Sequence, residues 1–201
     1  MGTDMARVLA RSDWDALLGG RTHEAPSALE DILNSASASE RLEVLRRASG
    51  SHLAALFDAC REPARGEELI PSQGAPLREV VFDGINSLPL FRRFQKRFTR
   101  TEEGICGYNH TPFTWATTPG YFVVQETGGP SGSLVFDYTR TPKGMLPAGW
   151  PRVLRNEQRL GRFVYAGLVD EVRRVSRDVV VGAVARNGRP IGTYFLLVRH
   201  P

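Results

Sequence analysis

The fold is decided by the stretch VVVGAVARNGRPIGTYFLLVR, which covers residues 179–199. Its middle is Asn187-Gly188, and this dipeptide favours a two-residue hairpin turn because both of its residues accept a positive φ. Residues that are enriched in β-strands, mainly Val, Phe and Tyr, lie on both sides of the turn. The stretch therefore predicts an antiparallel hairpin in which residues 179–186 pair with residues 190–199.

Strand-like runs recur along the second half of the chain. From Gly104 onward, runs rich in Val, Phe and Tyr alternate with turns roughly every eight to twelve residues, which is typical of antiparallel sheets. The predicted strands, seven at most, cover residues 78–83, 105–111, 121–126, 133–140, 163–176, 179–186 and 191–200. A glycine-rich turn is predicted at residues 127–132 and a long loop at residues 141–160. The strands must bury one apolar face, so they form a closed or helix-plugged barrel, or a half-barrel around a helix.

The segment after the first predicted strand has helical spacing. Ser87-Leu88-Pro89 is typical of a helix entrance, with proline in the first turn. Apolar residues then recur three or four positions apart, at Leu90, Phe91, Phe94 and Phe98. This spacing predicts a helix over residues 87–100 with its basic residues on the opposite side. A strand in which Phe94, Lys96 and Phe98 share one face is the alternative interpretation.

The first third of the chain has the signals of helices. Capping boxes begin at Ser27 and Ser37, where a glutamate follows three residues after each hydroxyl. A third start lies at Ser51. The predicted helices cover about residues 28–35, 38–50 and 51–62. Residues 63–76 carry Pro and Gly at short intervals and are predicted to form an irregular linker.

This order of elements predicts an α+β fold with two parts. Residues 1–76 form a helical segment and linker, and residues 77–201 form an antiparallel β-barrel or half-barrel domain. The apolar faces of the helices are too small to make a core alone. We therefore expect the helices to pack on the β domain.

Composition and charge narrow the class of protein. The chain has 201 residues and a formal charge of +4, but its 26 basic residues, nearly all Arg, are interspersed with 22 acidic residues, which indicates solvated faces more than a nucleic-acid site. No run of about eighteen apolar residues is present, and the first residues are charged. Cys60 and Cys106 are too few and too far apart for a disulfide framework or a cysteine zinc site. We expect a cytoplasmic protein without membrane span, metal or cofactor; nucleic acid is not an expected partner, and the oligomeric state is left open.

The C-terminal half also carries a family resemblance. Its stretches are FVYAGLVDEVRRV at residues 163–175, Val181-Gly182, and the aromatic last strand at residues 194–199, preceded by LVFDY at residues 134–138. Together they resemble the strands of lipocalin-like, calycin-type β-barrels in uncharacterised bacterial proteins. The resemblance implies a small cup for an apolar or amphipathic ligand.

Charged and polar side chains interrupt the predicted strands and supply the candidate site. Asp170 lies in an apolar strand, and strand alternation places Arg174 on its face while Arg173 lies on the other. One of these arginines is the expected partner of Asp170, because an unpaired buried charge costs several kcal/mol. The expected walls of the pocket include Tyr108 or His110, which share one strand face, together with Tyr138 and Tyr165. The predicted ligand-binding residues are thus Tyr108, His110, Tyr138, Tyr165, Asp170, Arg173 and Arg174.

Three functions are compatible with the sequence. The first is binding of a small apolar or amphipathic molecule in the barrel, with Asp170 and an arginine at its polar end. The second is a cofactor-independent acid–base enzyme, an isomerase, cyclase or hydratase, with His110, Tyr138 and Asp170 as candidate catalytic residues. The third is an interaction scaffold that uses the basic segment 92–100. No nucleophile elbow or glycine-rich phosphate loop favours the second function over the first.

Overall fold

The protein, seen in a computed structural model, is described for residues 14, 24–72, 75–89, 92–112, 114–127 and 132–200. Its helices are α1 (Glu24–Ser35), α2 (Ala38–Arg46), α3 (Gly50–Ala59), α4 (Gly66–Leu69) and α5 (Gly161–Val164). Its strands are β1 (Val80–Asn86), β2 (Arg93–Thr101), β3 (Gly104–His110), β4 (Phe122–Glu126), β5 (Leu134–Asp137), β6 (Leu168–Ser176), β7 (Val179–Arg186) and β8 (Arg189–Arg199). The α+β fold is confirmed, with helices first and a barrel after them.

The strands form a closed antiparallel barrel in which each strand pairs with its neighbours in sequence. The order is β1 to β8, and β8 pairs back with β1 to close it. The predicted hairpin is confirmed, because β7 pairs with β8 around Asn187 and Gly188, whose φ angles are 50° and 76°. The barrel also includes β2, which was not among the predicted strands, so the described residues form eight strands where at most seven were predicted from the sequence.

The predicted helix over residues 87–100 is wrong. Residues 93–101 form strand β2, which lies between β1 and β3, while Leu90 and Phe91 lie outside the described residues. The alternative interpretation is the right one, since Phe94, Lys96 and Phe98 all face the barrel interior. A spacing of four residues satisfies a helix and a strand equally, so Phe94 and Phe98 did not distinguish the two.

Two further predictions need correction at their boundaries. The strand predicted over residues 163–176 begins only at Leu168, because α5 and a turn through Gly167, with a φ of 70°, precede it. The predicted linker contains the helical turn α4, and Pro63 forms a bridge with Arg173. Residues 73–74 of that linker and residues 128–131 of the predicted turn lie outside the described part of the chain.

Aromatic rings fill the half of the barrel nearest to α4. Phe98 makes edge-to-face contacts with Phe82, Phe122 and Phe136 at centroid distances of 5.3 to 5.4 Å. The rings fit because glycines face them across the strands. Gly182 is the partner of Phe195 in the β7–β8 pair, and a Cβ atom at this glycine would lie 2.1 Å from the Phe195 ring. The aromatic core therefore requires glycine at these positions, because a side chain there would clash with the rings.

The segment around α4 closes this end of the barrel. Ala64, Leu69 and Ile70 are buried in the same apolar cluster as the interior rings. The segment is held by polar contacts as well, since the Gly66 N–H donates to the Glu126 carboxylate at 3.0 Å and Arg199 donates to the Glu68 carbonyl. We call this the closed end, and the opposite end, where β6 begins, the open end.

Helices α1 to α3 pack on the outside of the barrel wall. Their buried leucines form one cluster with outward residues of the wall, namely Ile85, Val175, Val179, Val181, Leu196 and Val198. The wall is therefore apolar on both faces there, which explains why β7 and β8 carry continuous apolar runs instead of simple alternation. Within the described residues, no helix is both long and apolar enough to cross a membrane.

Leu56→Ala tests whether the helices and the barrel share one core. Leu56 is fully buried in the cluster between α3 and the wall. We expect the substitution to lower the free energy of unfolding by about 2 to 5 kcal/mol, measured by urea denaturation. Leu160, which is 54% exposed, is the matched control. Leu160→Ala should change the free energy of unfolding by less than about 0.5 kcal/mol. Equal small losses at both positions would show that the helices add nothing to the stability of the barrel.

Candidate functional site

The open half of the barrel holds a cavity of about 520 Å³. Its walls are mainly apolar and include Phe94, Leu168, Val184 and Phe195. Around the mouth lie side chains that are large, apolar and exposed, namely Leu88, Phe163, Val164 and Ile191. The mouth of the cavity is thus lined by solvent-exposed apolar side chains. It leads to an interior whose walls are also mainly apolar.

Four polar side chains converge on the floor of this cavity. They come from four different strands or their ends: Lys96 of β2, Asn109 of β3, Tyr138 directly after β5, and Asp170 of β6. The Lys96 ammonium donates to Asn109 Oδ1 at 2.9 Å, to the Tyr138 hydroxyl, and to Asp170 Oδ2 at 3.5 Å. Asn109 Nδ2 donates to the Gly120 carbonyl at 3.2 Å, which fixes the amide orientation. We call these four residues the floor cluster.

Aromatic rings surround the Lys96 ammonium. Five ring centroids lie 4.9 to 5.6 Å from Nζ, those of Phe94, Phe122, Phe136, Tyr138 and Phe195. The negative faces of such rings attract a cation. The rings nevertheless replace water, so they desolvate the charge at the same time as they attract it.

Burial shifts the pKa values of the ion pair toward each other. Burial lowers the pKa of Lys96 from 10.5 to about 8, although the nearby Asp170 charge opposes the shift. Burial likewise raises the pKa of Asp170 from 3.8 to about 6 against the attraction of Lys96. The pKa of Tyr138 is raised well above 10, first by burial and then by the Asp170 charge. Near pH 7 the pair is therefore ionised, yet each partner is close to changing its charge.

One oxygen of the floor cluster is left without a partner. Asp170 Oδ1 is buried and accepts no hydrogen bond from any described residue. A buried carboxylate oxygen normally has at least one donor. Tyr138 stacks in parallel on Tyr165 at 5.8 Å, and both residues line the cavity together with Asp170. The unpaired oxygen thus belongs to a residue of the cavity floor, where a donor group of a ligand would satisfy it.

The structure brings three of the sequence-predicted site residues together at the cavity: Tyr138, Tyr165 and Asp170. Tyr108 and His110 share a strand face, as expected, but this face is the outer one, while Asn109 between them points inward. Tyr108 packs on Trp150 at 4.9 Å, and His110 is exposed. The pKa of His110 is lowered by partial burial and by the Arg97 charge.

The two arginines expected beside Asp170 lie on the helix side of the barrel. The Arg173 guanidinium stacks 3.8 Å from the Phe57 ring and donates to the carbonyls of Phe57 and Cys60. Arg174 pairs with three carboxylates, those of Glu30, Glu62 and Glu68, at 2.5 to 3.6 Å. The Asp170 partner is Lys96 instead. Arg174 keeps the register of Asp170, since both pair with interior valines of β7, but it lies toward the closed end of β6, where the three carboxylates meet it.

The basic segment 92–100 is largely occupied within the chain itself. Arg92 donates to the Ala48 carbonyl at 2.5 Å, and Arg100 donates to the Ile70 carbonyl at 2.6 Å. Arg97 pairs with Glu79 at 3.2 Å. These contacts join β2 to the helices, to the closed end and to the start of β1, so they account for the charge density of the segment structurally.

Sequence reasoning missed Lys96 and Asn109 as site residues. The signal for Lys96 was the alternation with Phe94 and Phe98, together with its rarity, since Lys96 and Lys143 are the only lysines in the chain. Asn109 was visible only as the residue opposite to Tyr108 and His110. No group of three His, Cys, Asp or Glu side chains suited to a metal ion occurs within the described ranges.

The raised pKa of Asp170 predicts a pH-dependent difference in stability between the protein and Asp170→Asn. The folded state takes up the proton near pH 6, before the unfolded chain does near 3.8, so the cost of the buried carboxylate is present above pH 6 and is lost as the pH falls toward 4. On acidification from about pH 7 to about pH 4, we expect the parent to gain of the order of 2 to 3 kcal/mol relative to Asp170→Asn.

Urea denaturation of both proteins at the two pH values measures this difference, and the other carboxylates cancel in the comparison. In the parent, the pKa of Lys96 is about 8 and lies above this window. In Asp170→Asn the loss of the Asp170 charge lowers that pKa, which adds a loss of stability of the variant on acidification and therefore acts in the same direction. A stability difference that stays constant between the two pH values would show that Asp170 has an ordinary pKa in the folded state.

No known family model matches the chain, and neither a curated protein nor a solved structure shows significant similarity to it.

Proposed function

We propose that the chain binds a small apolar or amphipathic molecule in the barrel cavity. The apolar body of the ligand lies against the walls, and its polar end contacts the floor cluster. The observation that carries this proposal is the position of the floor cluster at the inner end of a mainly apolar cavity that opens to solvent. A few fixed polar groups in an apolar concave site are typical of small-molecule pockets.

The dimensions and chemistry of the cavity support this class of ligand. About 520 Å³ lies within the range of ordinary ligand pockets, roughly 300 to 1,000 Å³. The apolar walls favour a hydrocarbon or ring system, since burial of apolar surface is worth about 25 cal/mol per Å². At the floor, Asp170 Oδ1 is an unpaired acceptor, and the Tyr138 hydroxyl, which donates to Asn109 Oδ1 at only 3.5 Å, is the most weakly engaged donor, so the cluster suits a hydroxyl, carbonyl or similar uncharged polar group.

We further propose that the barrel is of the lipocalin-like, calycin type and that the chain is bacterial. The sequential antiparallel order of the eight strands, closed by β8 on β1, supports it, as does an open end that leads to the cavity. The proposal also places the chain in the cytoplasm and treats residues 1–76 and 77–201 as its two parts. Free, buried thiols at Cys60 and Cys106 support a reducing compartment.

Val184→Phe tests the binding proposal, with dansyl-labelled undecan-1-ol as an uncharged, fluorescent amphipathic probe. Val184 lines the cavity, and a phenyl ring there occupies space that the ligand needs. We expect the parent to enhance the dansyl emission and Val184→Phe to bind the probe at least about tenfold more weakly. Val169→Phe is the matched control, because Val169 is on the neighbouring strand and does not line the cavity, so probe affinity should stay unchanged.

Two results would contradict the proposal. The first is the absence of probe binding by the parent protein. The second is equal probe affinity in Val184→Phe and Val169→Phe, which would place the probe outside the cavity. Circular dichroism of both variants shows whether the barrel is retained.

The second candidate is a cofactor-independent acid–base enzyme that uses the same cavity. The observation that favours it is the Asp170 carboxyl, which is buried at the cavity floor and has a pKa raised to about 6 by burial. A carboxyl with a pKa near the working pH is suited to transfer protons in both directions. Of the three candidate catalytic residues, Tyr138 contacts the same cavity and His110 lies on the outer face.

Nitrobenzisoxazole tests this candidate without knowledge of the natural substrate. Its ring opens when a base removes one C–H proton, and the phenolate product is coloured. If Asp170 is a general base, the rate rises as the pH passes about 6, since the carboxylate is the active form, and Asp170→Asn loses about a hundredfold in rate. Val169→Phe serves as the control that leaves the cavity intact. Equal rates for the parent and Asp170→Asn would exclude Asp170 as the base.

A further inference from the structure

Lys96 is an unusual choice of basic residue for its position. The chain uses arginine for nearly all of its 26 basic residues, and one of its two lysines is the residue at the cavity floor. The other lysine, Lys143, is exposed in the loop between β5 and α5. Arginine stays protonated under all ordinary conditions, whereas a buried lysine loses its proton readily and then has a free electron pair. The cavity therefore contains a primary amine where the rest of the chain uses guanidinium groups.

The surroundings of Lys96 hold its amine in place and raise the fraction of its neutral form. Asn109 Oδ1 at 2.9 Å and the Tyr138 hydroxyl fix Nζ from the side of the floor cluster, and five aromatic rings exclude water from it. With a pKa of about 8, roughly a tenth of the amine is neutral at pH 7. An ordinary lysine has about one neutral amine in three thousand at that pH. The neutral, nucleophilic fraction of this amine is thus well above that of an ordinary lysine.

Asp170 adds the group that such an amine needs. Its Oδ2 lies 3.5 Å from Nζ, and its Oδ1 is buried with no hydrogen-bond partner among the described residues. The first oxygen is positioned to take a proton from the amine, and the second is free to pass a proton to an oxygen atom of a ligand. Burial raises the pKa of this carboxyl to about 6, so it exchanges protons near neutral pH.

We propose that Lys96 binds an apolar aldehyde covalently as an imine, an inference that rests on the proposed binding function. Asp170 first takes one proton from the Lys96 ammonium. The neutral amine attacks the carbonyl carbon, a C–N bond forms, and the carbonyl electron pair moves to oxygen, which takes that proton from Asp170 to give a carbinolamine with a positively charged nitrogen. This nitrogen gives one proton back to Asp170. Asp170 then protonates the hydroxyl, which leaves as water while the nitrogen electron pair forms the C=N bond, so the product is a protonated imine paired with the Asp170 carboxylate. One water is released for each aldehyde bound, and nothing is oxidised or reduced.

The geometry of the cavity defines the aldehyde class. The carbonyl must reach the floor, so the tail occupies the space between Phe94, Leu168, Val184 and Phe195 and points to the mouth. An apolar tail suits these walls, and a charged one does not. Asn109 and Tyr138 remain as hydrogen-bonding groups beside the new C=N bond. Lys96 forms the covalent bond to the aldehyde, and the apolar walls of the cavity select the tail.

Reductive trapping tests the imine. The full chain is incubated with decanal and sodium cyanoborohydride near pH 7, and the adduct is located by digestion and mass spectrometry. We expect one decyl group on Lys96, at a rate at least about tenfold above that of Lys143, which is an internal reference for ordinary amines. Lys96→Arg keeps the charge and should lose the adduct. Val184→Phe should slow it, because the filled cavity excludes the tail.

Decan-1-ol separates the two proposals, because it has the same tail and no carbonyl group. Displacement of the dansyl probe by decan-1-ol, together with labelling of Lys96 no faster than Lys143, overturns the imine and leaves the binding function in place. If neither decanal nor decan-1-ol displaces the probe, the binding function fails as well. If Lys96 is labelled faster than Lys143, and if excess decan-1-ol suppresses this labelling, the result supports both the binding function and the imine.

Discussion

The burial of one ion pair inside an aromatic barrel is the constraint on which the rest of the structure depends. Lys96 and Asp170 face each other from β2 and β6, and each side chain is only 3% exposed. A charge in such surroundings is tolerated only when its remaining hydrogen-bonding capacity is met, and Asn109 and Tyr138 meet it for the ammonium. The pair also marks the level in the barrel where packed phenylalanines give way to the open cavity. Because apolar residues of similar volume stabilise a core at least as well, this pair favours a functional role over a structural one.

The sequence predicted the elements whose signals are local. Asn187-Gly188 defined the β7–β8 hairpin, and the capping box at Ser37 located the start of α2. The other two helix starts were misplaced, because α1 begins before Ser27 and the N-cap of α3 is Ser49 instead of Ser51. Strand β2 was missed for a physical reason. Phe94 and Phe98 are four residues apart, which suits one face of a helix and one face of a strand, so Lys96 between them decided the interpretation. Placing a lysine outside is the cheaper choice in general, and here it is the wrong one, because a residue on β6 compensates the charge.

The candidate site was half visible in the sequence, since Asp170, Tyr138 and Tyr165 stood out within apolar strands. The partner of Asp170 was not visible, because Lys96 lies 74 residues away and the two meet only when the barrel closes. The arginines nearest in sequence were the natural candidates. These arginines instead contact the helical segments that cover the barrel wall. The sequence of β6 alone does not show where those helices pack.

The closed end has a kinetic consequence for any ligand. Within the described residues, Ala64, Leu69 and Ile70 seal the barrel behind the packed phenylalanines, so the cavity fills and empties through the mouth. An incoming molecule cannot push the occupant out from behind, and the occupant must depart before its successor enters. Turnover of ligand is then limited by the departure step, however high the concentration of the competitor. A barrel cavity with a single opening suits storage or delivery of one molecule at a time. It does not suit passage of a ligand from one end of the barrel to the other.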